Sequence, residues 1–329
     1  MIKIKFEFNI HVQDDRPIEP SSLQREGITP PSCRTDFVAF AESEIHNARQ
    51  RKRFSTARNH QTAVRSFINF TRQTVIPLDT ISEELIDDYQ QWLRQKSICP
   101  NTISCYMRCL RSIYNKAIDA SGTTPRNPFG KAYTGHAATI KRSIPAADIR
   151  KIKEADLHGK KSLQLTRDIF LFCYYTLGMP FVDVAFLKTT NIQDSTIIYY
   201  RHKTGQQIRI KLEPCMTDII SAYHQPHSPY LFPIITTDDE EHAHHQYLTA
   251  LGNYNRNLKR IAQLAKVSCK LTSYVARHSW ASNAYEENVD LPVISKALGH
   301  TDTKTTLIYI RGINDARLEQ ANRDMLSKI

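Results

Sequence analysis

The 329-residue sequence contains no apolar run approaching the ~20 residues that cross a bilayer, and its first residues lack the apolar stretch of a secretory signal. Both absences argue against a helical membrane protein and predict a cytoplasmic location. No glycine-rich P-loop and no acidic metal cluster are present, so neither nucleotide hydrolysis nor metal-assisted hydrolysis has a sequence signature here. The seven cysteines (Cys33, Cys99, Cys105, Cys109, Cys173, Cys215, Cys269) are an odd number with no CxxC spacing. Cys105 and Cys109 lie one helical turn apart, but no matching His or Cys pair follows at zinc-finger distance, which predicts reduced thiols rather than a metal site or disulfide framework. Negative charge is also in deficit. Against 44 Lys and Arg stand 33 Asp and Glu, giving a net charge of +11 and a pI near 9.3. A surface of that sign suits a polyanionic partner, because Lys and Arg release counterions from nucleic acid on binding. At 41% hydrophobic and 23% charged residues, the chain has the composition of a folded protein, and its length allows two ordinary domains.

In chain order, Ile2, Ile4, Phe6 and Phe8 alternate as in a short strand or arm, and Pro17, Pro20, Pro30 and Pro31 stiffen the segment beyond it. Residues 1–33 therefore read as an extension, too short for a complete additional domain. Residues 34–125 read as helices. One spans about 53–72 with Val64, Phe67 and Ile68 inward. Another follows a capping box of Thr80 with Glu83 and carries Ile81, Leu85, Ile86, Tyr89, Trp92 and Leu93 on one face. The cleanest helical stripe comes after Pro100: Ile103, Tyr106, Met107, Leu110, Ile113, Tyr114 and Ala117. Positive charge gathers in the same region, at Arg49, Arg51, Lys52, Arg53, Arg58, Arg65 and Arg72, and again at Arg108, Arg111 and Lys116. A solvated face explains one such cluster; two in one bundle point to phosphate contacts.

Residues 126–143 form a basic linker without periodicity, and a second unit, 144–329, comes after it. Helices fit 145–155 and 161–177, with Gly178 as a left-handed cap, and another opens at Phe181. Ile197 to Tyr200, then Lys203-Thr204-Gly205, then alternating Ile208, Ile210 and Leu212 read as a hairpin. Further helices fit 215–224, 247–266, 273–287 and 290–298, the last capped by Asp290 and ended by Gly299. An amphipathic helix at 314–327, carrying Leu318, Ala321 and Met325, closes the chain. His242, His244 and His245 lie beyond an acidic stretch at no metal-site spacing and read as an exposed loop.

Three residues near the C-terminus can converge on one phosphate: Arg277, His300 and Tyr309. Breaking a phosphodiester without a metal requires a nucleophile, an acid for the leaving oxygen, and cations for the transition-state oxygens. Tyr309 is the candidate nucleophile, Lys203 or His300 the proton donor, and Arg277 the clamp, since a guanidinium bonds phosphate through two parallel N–H groups. A phenol of ordinary pKa, about 10, needs neighbouring cations or a base to ionise.

Leu271-Thr272 through Arg277-His278, Leu298-Gly299-His300, and Thr305-Thr306 through Tyr309, with Lys203 upstream in a hairpin, resemble the tyrosine recombinase (phage integrase) family from about residue 34 onward. The resemblance implies a mainly α fold: a helical, SAM-like core-binding domain, then a mixed catalytic domain with a small β-hairpin, the two clamping double-stranded DNA. It implies a site-specific recombinase of integrase, invertase or transposon type, without cofactor or metal. Tyr309 would form a 3′-phosphotyrosyl link, Arg277 and His300 would contact non-bridging oxygens, and Lys203 would protonate the 5′-oxygen. A homotetrameric synapse joined through exchange of the C-terminal helix is also implied.

The sequence departs from the family pattern twice. Tyr274 stands where a histidine is usual, three residues before Arg277. Pro180 stands where the first arginine belongs, after Gly178-Met179. Arg201 is the expected substitute cation, projecting from the same hairpin-strand face as Lys203, with Arg167 second. The departures also keep open a DNA-binding regulator on the same fold with weakened cleavage; a type IB topoisomerase-like enzyme is a third alternative.

Overall fold

In the computed structural model, the residues described are 36–122, 124, 126–139, 142–300, 302–307, 319, 322–323 and 325–327. The N-terminal arm, Tyr309 and most of the 314–327 helix lie outside them. Two apolar cores account for most of the buried side chains. The first is built by α1 (Phe37–Gln50), α2 (Phe54–Thr71), α3 (Glu83–Gln95) and α4 (Pro100–Ser121). Along α4, Ile103, Met107, Leu110, Ile113, Tyr114 and Ala117 are all buried, so the stripe legible in the sequence is the face that the bundle closes on. Each such large apolar side chain contributes about 1.5–3 kcal/mol. Asp36 starts α1 by accepting from the Val38 and Ala39 amides, and its carboxylate also takes the Ile76 amide at 2.8 Å.

The start of α3 differs from expectation. Its N-cap is Ser82, whose hydroxyl accepts from the Leu85 amide. Thr80 instead ends a short 3-10 turn opened by Pro77 and turns its hydroxyl back to the Pro77 carbonyl. Proline fixes that turn, so the capping hydroxyl falls two residues later.

The segment after α4 is laid against the first core. Phe129 is buried in it, the Tyr133 amide donates to the Gln90 side chain at 2.7 Å, and Asn101 bonds both the amide and the carbonyl of Ala137.

The second core is built from α5 (Ala146–Glu154), α6 (Lys161–Tyr175), α7 (Phe181–Ala185), a sheet, α8 (Pro214–Tyr223), α9 (Glu240–Leu264) and α10 (Val275–Glu286), followed by α11 (Leu291–Leu298) and α12 (Thr303–Leu307). The sheet is antiparallel in the order β1 (Ile192–Gln193), β2 (Thr196–Tyr200), β3 (Gln207–Lys211). Ile197 pairs with Ile210 and Tyr199 with Ile208, and all four are buried, so the alternation read from sequence sets the register. At α11, Asp290 occupies the N-cap position without a side-chain cap bond, while Gly299 does end the helix in the left-handed region.

Helix α9 begins earlier than expected. Asp239 caps it by accepting from the His242 amide, so His242, His244 and His245 sit on its first turns rather than in a loop. His244 is buried and stacks on Phe54 of α2 at 5.1 Å between ring centroids, next to an exposed Lys52–Glu240 ion pair. These contacts join the two helical units directly. The described cysteines are all free, and no helix among the described residues is long and apolar enough to cross a membrane.

Candidate active site

Helix α10 is buried on nearly every side, Val275 to Ser279 without interruption, and this carries Arg277 into the interior at 2% exposure. The Arg277 guanidinium donates to the Gly178 carbonyl at 2.9 Å and to the Leu298 carbonyl at 2.5 Å. Gly178 has no freedom to be another residue: its φ is +75°, and a Cβ there would lie 3.0 Å from the Arg277 Cα.

Arg201 reaches the same place from the hairpin. It is 6% exposed and donates to the Leu298 carbonyl at 2.7 Å and to the Gly299 carbonyl at 3.2 Å. Two guanidinium groups thus meet at the C-terminal end of α11. That end presents unsatisfied carbonyls and the negative pole of the helix dipole, which offset the repulsion between like charges. Asp183 of α7 adds a carboxylate 3.7 Å from the Arg201 Nε and accepts from the His202 amide at 2.9 Å. Burial raises the Asp183 pKa, while the His202 amide and the Arg201 charge pull it down. Gly299, with φ of +65°, makes room for this crossing: a Cβ there would sit 2.6 Å from the Arg201 Cδ.

His300 lies against the pair. Its Nε2 is 3.1 Å from the Arg277 Nη2, and its Nδ1 is 2.9 Å from the Thr306 hydroxyl. Burial, then the charges of Arg277, Arg201 and Lys203, push its pKa down to about 4. Near neutral pH the imidazole is therefore uncharged.

Lys203 is exposed in the hairpin turn, and its placement relative to Arg201 differs from the sequence expectation. Strand β2 ends at Tyr200, and the Arg201 amide donates to the Gln206 carbonyl, closing a turn over residues 202–205. The two cations are therefore not on one strand face: Arg201 points into the protein and Lys203 out of it. Tyr274 is 46% exposed at the start of α10, its ring 6.1 Å from that of His278. Arg167, the second substitute cation, pairs with Asp168 at 2.7 Å and is drawn to the Ala155 carbonyl, away from this group. Tyr309 lies outside the described residues. Asp183 and Thr306 are members of the site that sequence reasoning misses. A lone carboxylate in the apolar run 181–187 is the available signal for the first, and burial, invisible in sequence, is needed for the second.

Family models match both helical units of the chain. The phage integrase SAM-like domain model matches residues 36–134, and the phage integrase family model matches residues 142–314. The chain belongs to the phage integrase family.

Among relatives, the tyrosine recombinase XerD of Listeria innocua is 24% identical over 261 residues, covering 78% of this chain and 87% of its own. A tyrosine recombinase of Thermosipho africanus is 21% identical over 299 residues, covering 88% of this chain and 97% of its own. Among solved structures, the Tn1549 transposon integrase in complex with a circular intermediate DNA matches with a TM-score of 0.62 at 14% identity, over 89% of this chain and 99% of that one. A lambda integrase tetramer bound to a Holliday junction matches with a TM-score of 0.61 at 15% identity, over 86% and 80% of the two chains. At these identities the structures share the fold. Pro180 is the N-cap of α7 and carries no charge, and Arg201 stands beside Arg277.

Proposed function

We propose that the protein is a site-specific DNA recombinase that cuts and rejoins double-stranded DNA through a covalent link to Tyr309. The observation that carries this reading is the meeting of Arg201 and Arg277 on the Leu298 carbonyl, with His300 alongside, in a member of the phage integrase family. Two guanidinium groups suit the equatorial oxygens of a phosphoryl transition state, and held in advance they need no reorganisation when charge develops. Both would turn part of their donor set from the Leu298 and Gly299 carbonyls to the scissile phosphate.

The Tyr309 hydroxyl gives its proton to solvent and its oxygen attacks phosphorus, the P–O5′ bond breaks, and the 5′-oxygen takes a proton. Lys203, exposed in its turn, suits that acid role better than His300, which is uncharged near neutral pH. A 5′-hydroxyl from another strand then reverses the step, so the bond energy is retained. Tyr274 can donate one hydrogen bond to a phosphate from its exposed position but is a weak base. The core-binding unit is proposed to span 34–125, with 126–143 as linker and 144–329 as catalytic unit, closing around DNA. Assembly as a tetramer with exchange of the C-terminal helix belongs to the same reading.

The test is a DNA duplex selected by the protein from a random library and nicked near its centre. Wild-type protein should yield an adduct stable in SDS, and Tyr309→Phe should yield none. Binding without any adduct from wild type would leave a DNA-binding regulator in place of the enzyme. An adduct that persists in Tyr309→Phe would overturn the nucleophile assignment.

A further inference from the structure

The geometry points to Thr306 as a positioning residue that fixes the tautomer of His300 and ties the segment leading to Tyr309 to the phosphate clamp. An arginine side chain only donates, so the His300 nitrogen facing it, Nε2 at 3.1 Å from the Arg277 Nη2, has to accept and carries no proton. The single proton of the neutral ring is then on Nδ1, and the group 2.9 Å from Nδ1 is the Thr306 hydroxyl. Thr306 is fully buried, at 0% exposure, so its hydroxyl is held in one place by the protein rather than shared with solvent. The lowered His300 pKa agrees with this neutral form.

Thr306 belongs to α12, whose range is Thr303–Leu307, and precedes Tyr309 by three residues in the sequence. One hydrogen bond therefore spans two parts of the site: the histidine that orients Arg277, and the helix that leads to the nucleophile. A buried side-chain contact of this kind converts correct docking of α12 into correct aim of Arg277. It also gives His300 a defined task, holding Arg277 through a lone pair. The catalytic part of this inference rests on the recombinase reading above; the tautomer does not.

Long-range ¹H–¹⁵N correlation spectra of the histidine-labelled full chain, with His300→Gln to assign the signal, read the tautomer directly. The expected result is a protonated Nδ1 and an unprotonated Nε2 in wild type. A proton on Nε2 in wild type would overturn the proposal without any variant. Thr306→Val keeps shape and loses the acceptor; it should disturb that signal and slow SDS-stable adduct formation about tenfold at saturating nicked duplex, while leaving the affinity for DNA within about twofold. Thr306→Ser restores the hydroxyl and should recover the rate to within about threefold of wild type. Equal loss in both variants, or no loss in Thr306→Val, would contradict a positioning role. If wild type binds the duplex and forms no adduct, the recombinase reading fails, and the spectra alone still decide the His300–Thr306 pair.

Discussion

His300 is uncharged because folding makes it so, and that has a measurable consequence. Its pKa in the folded protein, about 4, lies below the ordinary 6.5. The unfolded chain therefore takes the proton first, and the stability present above pH 6.5 is lost as pH falls from 6.5 toward 4. Burial lowers His60 and His244 in the same direction, so His300→Asn should remove part of the acid sensitivity and leave the remainder. Denaturant midpoints measured across this range for both proteins check this; an unchanged slope in His300→Asn would contradict the assignment. Arg277 and His300 stand out in the sequence as candidates, and the fold brings their side chains to 3.1 Å. Their protonation and aim are not legible there, since both depend on the Leu298 carbonyl and the Thr306 hydroxyl, which become partners only in the fold.

Among the elements, the C-terminal end of α11 does the most to organise the site. Its last carbonyls gather both guanidinium groups, and Gly299 provides the open space through which Arg201 passes. Replacing Gly299 with alanine places a methyl group 2.6 Å from the Arg201 Cδ at a φ of +65°. Backbone strain of that kind costs roughly 1–3 kcal/mol. Gly299→Ala should therefore lower the thermal midpoint and, in protein that remains folded, reduce adduct formation more than DNA binding. A variant with wild-type rate and midpoint would show that Arg201 need not be where it is. Helices with a clean apolar stripe, such as α4, and the hairpin register are legible from periodicity alone. Element starts are less so: Ser82 rather than Thr80 caps α3, and Asp239 caps an α9 that begins at Glu240, ahead of the start expected at 247. In both cases one hydroxyl or carboxylate decides, and several neighbours could have served. Arg201 comes to Arg277 by a route that strand alternation does not give, since the strand ends before it.

At the scale of the whole molecule, net charge of +11 and two basic helices in the first unit suit a partner that is itself a polyanion. Binding to duplex DNA should weaken steeply with salt, with a log–log slope of about −0.9 for each phosphate neutralised. A flat response would count against a clamp closing through both units. Family membership is legible at this scale because motifs scattered over the chain keep their order. Whether the site is complete despite Pro180 is the central issue, and the Arg201–Leu298–Arg277 arrangement supports completeness. The most direct measurement is the rate of SDS-stable adduct formation by Arg201→Ala on nicked duplex at saturating protein. A fall of about 10²–10³ with DNA binding retained is predicted, the usual consequence of removing one oxyanion-stabilising donor. A rate equal to that of wild type would contradict the account.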